Sequence, residues 1–325
     1  MSEQSTVRLD DRVAVVTGAG NGLGREYALA LAERGAAVVV NDLGTDVRGK
    51  EVRVGDHPAD RVVEEIRMKG GRAVASKASC STYEGGQSII ATALDAFGRI
   101  DILVHNAGFL RNRSFADMTE EQFRTVIDVH LMGAFYTAQP AFRAMMNSGY
   151  GRIVLIGSAA GEFGSYWQAN YSAAKAGVVG FMNDIANEGA EHGILVNTVL
   201  PLATTRLGVE EDDWAPGFFD AAPAGWAQEL LVPDHGRDFV ASMVVWLASE
   251  NCKGTQNVYS VAGGRFARVF TGVTHGWLSN FPQAASPEDI EANLAEIEDL
   301  GRFTAPKVLY GEFEAILQNR ANART

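Results

Sequence analysis

The chain has 325 residues, 46% of them hydrophobic and 21% charged, with 28 basic against 40 acidic side chains and a formal charge of −12. That length allows two domains, or one large α/β domain with an appendage, and the composition excludes a disordered chain. The negative balance repels polyanions and no basic stripe offsets it, so general nucleic-acid binding is excluded.

The N-terminal MSEQSTVRLDDR is polar and carries no signal-peptide pattern. No apolar stretch approaches the roughly 18 residues of a membrane span. Cys80 and Cys252 lack metal-ligand spacing and are too few for a disulfide framework. The expectation is a cytoplasmic protein without a resident metal and without membrane partners.

Short apolar runs at 13–17, 38–41, 102–105, 153–157, 195–200 and 257–261 have strand length. They are continuous in Val, Ile and Leu rather than alternating, as in strands buried on both faces. Longer helical patterns separate them. One spans 25–34 before Gly35, a second runs from the Thr119 and Gln122 capping box through His130 towards Met146, and a third covers 171–191, ended at Gly193. This alternation predicts a doubly wound, three-layer αβα (Rossmann) fold with a mostly parallel sheet over residues 1–267. Residues 201–236, rich in Gly, Pro and aromatics such as Trp214 and Trp226, predict a lid. Residues 268–325 are expected to form a helical extension, with a cap at Ser286 and a last helix near 311–317.

The first run ends in TGAGNGLG, placing Gly18, Gly22 and Gly24 after Thr17 at the entry to a helix. Backbone without β-carbons lets N–H groups approach a pyrophosphate at the positive helix end. Asp42 closes the second run, where a carboxylate accepts from adenosine ribose hydroxyls and repels a 2′-phosphate; NAD is therefore expected over NADP. Arg48 and Lys50 lie a few residues on, and capping of the next turn is the plainer role open to Asp42.

Tyr171 and Lys175 stand four apart on a predicted helix and share one face. A cation beside a phenol favours the phenolate, lowering a pKa near about 10 towards working pH, as acid–base catalysis needs. Ser158 follows the fourth run, at a strand carboxyl end, where open parallel sheets build ligand sites. Each feature alone is common; a helical Tyr or Lys is most often a surface residue with a buried stem.

Together with Asn106, Ala107 and Gly108 after the third run, this set resembles the short-chain dehydrogenase/reductase family over about residues 7–265. The resemblance implies that Ser158 and Tyr171 bind the reacting oxygen, that Tyr171 exchanges the proton, and that Lys175 acidifies it and holds the nicotinamide ribose. It further implies cofactor contacts from Thr17, Gly18, Asn21, Gly22, Leu23, Gly24, Asp42, Leu43, Ser79, Asn106, Ala107, Gly108, Tyr171, Lys175, Pro201 and Thr204, and a homodimer or homotetramer in which residues 268–325 supply a contact.

Two positions depart from the family pattern. His130 occupies the place of an asparagine in the proton relay, so it is either a fourth catalytic group acting through water or a packed core histidine. In KASCS, at 77–81, Ala78 or Ser79 replaces the aspartate that faces adenine.

VVVNDLG, ADRVVEEIRMKGGRAVA, RNRSF, YGRIVLIGSAAGEFG, QANYSAAK and HLMG are similar to a narrower branch, the (3R)-hydroxyacyl-CoA dehydrogenase part of type 2 multifunctional β-oxidation enzymes and their free-standing bacterial relatives. That branch implies an acyl-CoA substrate, with Arg111 and Arg113 available to CoA phosphates. Tyr166 and Trp167 beside the catalytic helix equally suit a free hydroxysteroid or another apolar alcohol. A nucleotide-binding sensor without chemistry is the remaining reading from another class.

Overall fold

The computed structural model describes residues 7–45, 57–203, 236–279 and 283–322. Thr204, Arg48, Lys50 and nearly all of the expected lid lie outside them. The chain divides into two compact units, Met1–Arg268 and Val269–Thr325.

In the first unit, β1 (Val13–Thr17), β2 (Ala37–Asn41), β4 (Ile102–His105) and β5 (Gly151–Ile156) are buried at every residue. Their continuous apolar runs follow from helices covering both faces of the sheet. Each fully buried Val, Leu or Ile contributes roughly 1.5–3 kcal/mol by leaving water. The sheet is completed by β3 (Arg72–Ser76), β6 (Ile194–Leu202), β7 (Asn257–Ala262) and β8 (Arg265–Val269), in the order β3-β2-β1-β4-β5-β6-β7-β8. Strands β1 to β7 pair in parallel. The order turns back between β1 and β4, and that switch point opens a crevice at the strand carboxyl ends.

Between the strands run α1 (Gly22–Glu33), α2 (Pro58–Met68), α3 (Tyr83–Phe97), α4 (Glu120–Ile127), α5 (Gly133–Ser148), α6 (Ala159–Phe163), α7 (Ala169–Gly189) and α8 (Gly236–Ala248). The Thr119 and Gln122 capping box opens α4 as expected. The helix expected through His130 and towards Met146 forms, with one irregularity. A π-turn, Asp128–Met132, separates α4 from α5 and is closed by the Gly133 N–H on the Asp128 carbonyl. No glycine or proline marks it from within; tertiary packing selects it, as is usual for such bulges at functional sites.

The opposite, amino-terminal rim of the sheet is held by charge. Asp101, fully buried, accepts from the Val13 N–H at 2.9 Å, from Arg99 at 2.6 and 2.8 Å and from Arg12 at 3.1 Å. Arg12 and Arg152 lie over the Tyr150 ring at 3.7 and 4.3 Å. This knot ties β1 to β4 and leaves the carboxyl rim free for the site.

The second unit pairs β9 (Val273–Thr274) with β10 (Phe303–Thr304) antiparallel and, among the described residues, carries three helices, α9 (Pro287–Ala292), α10 (Leu294–Ile297) and α11 (Leu309–Asn322). Ser286 caps α9 in a reciprocal box with Asp289. Phe270 stacks on Phe303 at 5.6 Å.

Removing the buried acceptor leaves the Val13 N–H unpaired and Arg99 without its carboxylate, while Arg12 keeps Glu250, a loss of about 3 kcal/mol. Asp101→Ala should therefore lower the urea midpoint sharply without changing the slope, whereas Arg8→Ala, at an exposed pair, should leave the midpoint in place.

Candidate active site

The glycine turn is built by close approach. Gly18 has φ +63°, and a β-carbon there would lie 2.8 Å from the Ala107 Cα. One on Gly24 would lie 2.2 Å from the Gly18 carbonyl oxygen and 2.6 Å from Asn106 Nδ2. Asn106 Nδ2 donates to the carbonyls of Thr17 at 3.0 Å and Gly18 at 3.2 Å. Thr17 Oγ1 in turn accepts the N–H groups of Asn106 and Ala107, both at 3.0 Å. The first strand's turn and the Asn106–Gly108 segment thus form a single wall.

Asn21 precedes α1 with no side-chain cap, and no acidic residue stands in its first turn. The N–H groups opening α1 therefore have no side-chain partner, as an anion-binding helix start requires. Asp42 Oδ2 accepts from the Gly20 N–H at 2.9 Å and Oδ1 from the Gly44 N–H at 2.8 Å, so one carboxylate holds the turn and faces the cleft. Gly18, Asn21, Gly22, Leu23, Gly24, Asp42, Leu43, Ser79, Asn106, Ala107 and Gly108 line this cleft, of about 260 Å³. Thr17 stands behind it, fully buried. These residues fit a dinucleotide. The turn is too tight for side chains, the N–H groups opening α1 have no side-chain cap, and a carboxylate sits one strand away.

Leu23, Asn106 and Gly108 also wall a second cavity of about 220 Å³, lined by His130, Ser158, Gln168, Tyr171, Lys175 and Pro201. Ser158 caps α6, its Oγ accepting the Ala160 N–H at 3.2 Å. Burial raises the Tyr171 pKa above its ordinary value, and the hydrogen bond from Ser158 pulls the other way. The acidification expected from Lys175 is absent in the free protein. Lys175 Nζ lies 5.6 Å from the Tyr171 ring centre and donates to the Ile156 carbonyl at 2.5 Å. Desolvation brings its own pKa down to about 7, so at neutrality the amine carries only part of a charge.

His130, 2% exposed, places Nε2 2.9 Å from the Phe109 carbonyl oxygen and sets its ring edge-on to Tyr171 at 5.1 Å and 87°. A β-carbon on Gly108 would strike its Cε1 at 2.0 Å. Burial and the nearby Lys175 hold its pKa well below the ordinary value. The ring is thus neutral at physiological pH, not the group titrating near neutrality that its type suggests.

Asn170 lies between two residues of the catalytic helix and was missed as a site residue. Fully buried, it donates to the carbonyls of Arg111 and Gln122, both at 3.0 Å, and accepts the Tyr171 N–H at 2.8 Å. Gln168 donates to Asn112 at 3.1 Å, and the Arg113 N–H bonds the carbonyl of Trp167, whose φ is +63°. Left-handed backbone at a tryptophan costs roughly 1–2 kcal/mol. These bonds hold the strained start of α7 against the 111–113 segment. An asparagine before a helical tyrosine carries no signal of its own; only the QANYSAAK resemblance contained it.

A short chain dehydrogenase family profile matches residues 12–214. The chain is 41% identical over 308 residues to mouse peroxisomal multifunctional enzyme type 2, covering 94% of this chain and 39% of that one. It is 44% identical over 292 residues to a short-chain type dehydrogenase/reductase of Mycobacterium tuberculosis, covering 90% and 96%. Among solved structures, full-length peroxisomal multifunctional enzyme type 2 from Drosophila melanogaster superposes with TM-score 0.76 at 32% identity, covering 96% of this chain and 50% of that one. A short chain dehydrogenase from Mycobacterium avium gives 0.74 at 36%, covering 91% and 97%. The chain belongs to the short-chain dehydrogenase family. It is an oxidoreductase acting on hydroxyl groups with a nicotinamide cofactor, and it spans about two fifths of the mouse multifunctional enzyme it matches. Among the described residues no helix is long and apolar enough to cross a membrane.

The buried amine makes a pH prediction with a definite sign. Native Lys175 releases its proton near pH 7, whereas the unfolded chain holds it to about 10.5. Between those values only the unfolded state binds the proton, so stability rises with pH across the window and this contribution is flat below it. Lys175→Met should remove that rise, a slope of at most about 1.4 kcal/mol per pH unit, in urea midpoints measured along the window.

Proposed function

We propose that the protein interconverts a secondary alcohol and a ketone with NAD(H), acting on a (3R)-hydroxyacyl-CoA in lipid or steroid side-chain degradation. What carries the reading is the placement of Tyr171. Its half-buried phenol lies within hydrogen-bonding reach of Ser158, in a cavity whose wall is shared with the dinucleotide cleft. The named relatives support the substrate class, and the Asp42 carboxylate beside the glycine turn supports NAD.

The bound nicotinamide supplies the acceptor or donor of the hydride. Ser158 donates its hydroxyl to the substrate oxygen and fixes it beside Tyr171. In the reducing direction the Tyr171 phenol, kept protonated by burial, gives its hydrogen ion to the carbonyl oxygen; in oxidation it takes that ion back from the hydroxyl. Lys175, with a pKa of about 7, is poised to accept or return a proton next to that phenol. His130 stays neutral and keeps the ring in place by edge contact.

A free hydroxysteroid or apolar alcohol is the second reading, favoured by Phe115, Phe163 and Tyr166. These rings are 82%, 75% and 71% exposed on segments flanking the Ser158 and Tyr171 side of the cleft. For residues 268–325 we propose a contact in a homodimer or homotetramer. The support is α11, which exposes Leu309, Tyr310, Phe313, Ile316 and Leu317 at helical spacing. Two unpaired, buried cysteines support a reducing, cytoplasmic setting.

Reduced-nicotinamide absorbance with a panel of hydroxyacyl-CoAs and hydroxysteroids, in NAD and NADP, tests the reading. Turnover should need the thioester and NAD. Tyr171→Phe should cut kcat by about a thousandfold or more while NADH affinity stays within about threefold. Equal loss of both would make the tyrosine a structural residue.

A further inference from the structure

Tyr171 is the third residue of α7, so its N–H is among those that a helix leaves without an intrahelical acceptor. The next residue, Ser172, pairs in the ordinary way, its N–H on the Gln168 carbonyl at 2.7 Å. Gln168, which precedes the helix, caps none of these groups with its side chain. The acceptor for Tyr171 comes from inside the helix, where Asn170 Oδ1 takes its N–H at 2.8 Å. Asparagine is a poor helix former because its amide competes for nearby backbone, and here that competition supplies the missing partner.

The same amide reaches two other elements. Its Nδ2 donates to the Gln122 carbonyl in α4 and to the Arg111 carbonyl, both at 3.0 Å. All three partners are backbone groups of fixed polarity, two acceptors and one donor, which decides the orientation of the amide. Turned over, it would set oxygen against two carbonyl oxygens and nitrogen against an N–H. Asn170 is fully buried and does not line the cavity of Ser158 and Tyr171, so it acts on the reaction only through its neighbours.

Those neighbours stand on either side of the phenol. Gln122 is itself fixed at the start of α4 by its capping box with Thr119, and α4 runs directly into the π-turn that sets His130 against Tyr171. Arg111 leads into the segment whose Asn112 and Arg113 bond Gln168 and Trp167.

We propose that Asn170 is a positioning residue, which pins the Tyr171 backbone to α4 and to the 111–113 segment and thereby sets the reach of the phenol to Ser158. The kinetic part of this inference rests on the dehydrogenase reading; the tether itself does not. A reacting group misplaced by about 1 Å can lose roughly a hundredfold in rate. None of the three bonds involves the glycine turn, so the expected signature is slowed turnover with nucleotide affinity retained.

The test uses the full chain with three substitutions. Asn170→Ala removes all three bonds, and Asn170→Asp keeps the size and the acceptor for Tyr171 but sets oxygen against both carbonyls. Met182→Ala deletes a fully buried side chain elsewhere in α7. Both Asn170 variants should lower kcat about tenfold or more, with the KM for the alcohol and the affinity for NADH within about threefold. Met182→Ala should lower the urea midpoint and leave kcat within about twofold. Wild-type kcat in either Asn170 variant overturns the proposal. So does a fall in NADH affinity that matches the fall in kcat, or an equal loss of kcat in Met182→Ala, since either traces the effect to general stability. Should Asn170→Ala fail to fold, Asn170→Asp decides alone. Hydrogen exchange at the Tyr171 amide gives a readout free of activity. Exchange should be about tenfold faster or more in Asn170→Ala, while Asn170→Asp keeps the slow rate, and wild-type exchange in Asn170→Ala overturns the tether. A wild type silent on every alcohol sinks the dehydrogenase reading instead, and the exchange pattern then decides the tether alone.

Discussion

The site depends on an amine taken out of water with a carbonyl as its partner. A carboxylate beside Lys175 would hold it fully charged and use up its field; the Ile156 oxygen does neither. Among the described residues lining its cavity there is no carboxylate at all. Lys175, His130 and His105 are three bases enclosed together, each with its charged form disfavoured by desolvation, and the pressure of each on the others has the same sign. A negative charge arriving in the cavity, whether a phenolate on Tyr171 or an anionic ligand, meets an amine with a pKa of about 7 and two neutral imidazoles. The cavity therefore holds a protonated phenol, kept so by burial, next to an amine with a pKa of about 7.

Much of this was legible in the sequence because the physics was local. A strand buried on both faces must be apolar throughout, so β1, β2, β4, β5, β6 and β7 announced themselves. Spacing of four on a helix brings Tyr171 and Lys175 to one face whatever the fold does elsewhere. β3 was not found, because RAVAS is a partly exposed edge strand of small residues that need not be apolar. The π-turn was not legible either. Its residues, Asp128 to Met132, read as ordinary helix, and the partners that meet His130 within it, Gly108 and Tyr171, are distant in sequence. Neighbour logic counts the charge of Lys175 beside Tyr171 and leaves out the cost of burial, which raises the phenol's pKa here.

The two halves of the site differ in how they are built. The dinucleotide half is backbone: glycines at close approach, amides on Asp42 and Thr17, a helix start without a cap. Backbone constraints leave few residue types admissible, which is why a short motif identifies them. The half proposed to take the alcohol is walled by side chains from several elements, among them Leu110, His130, Ser158, Gln168 and Tyr171, with Asn170 and Gln168 holding the start of α7 against the 111–113 segment. Many side chains can line such a wall, so the same scaffold accepts different alcohols and the sequence signal there is weak.

That division also explains where strain is tolerated. Trp167 adopts left-handed backbone one residue before Gln168, whose amide is anchored on Asn112. A flexible loop would relax such a residue. Here the Arg113 N–H on the Trp167 carbonyl, the Gln168 amide and the three bonds of Asn170 over-determine the segment, and the strain persists because those contacts outweigh it. The result is a rigid threshold at the entrance to α7. Tyr171, one turn further on, inherits its position from that threshold on one side and from the π-turn on the other, and the phenol's reach to Ser158 is set by both.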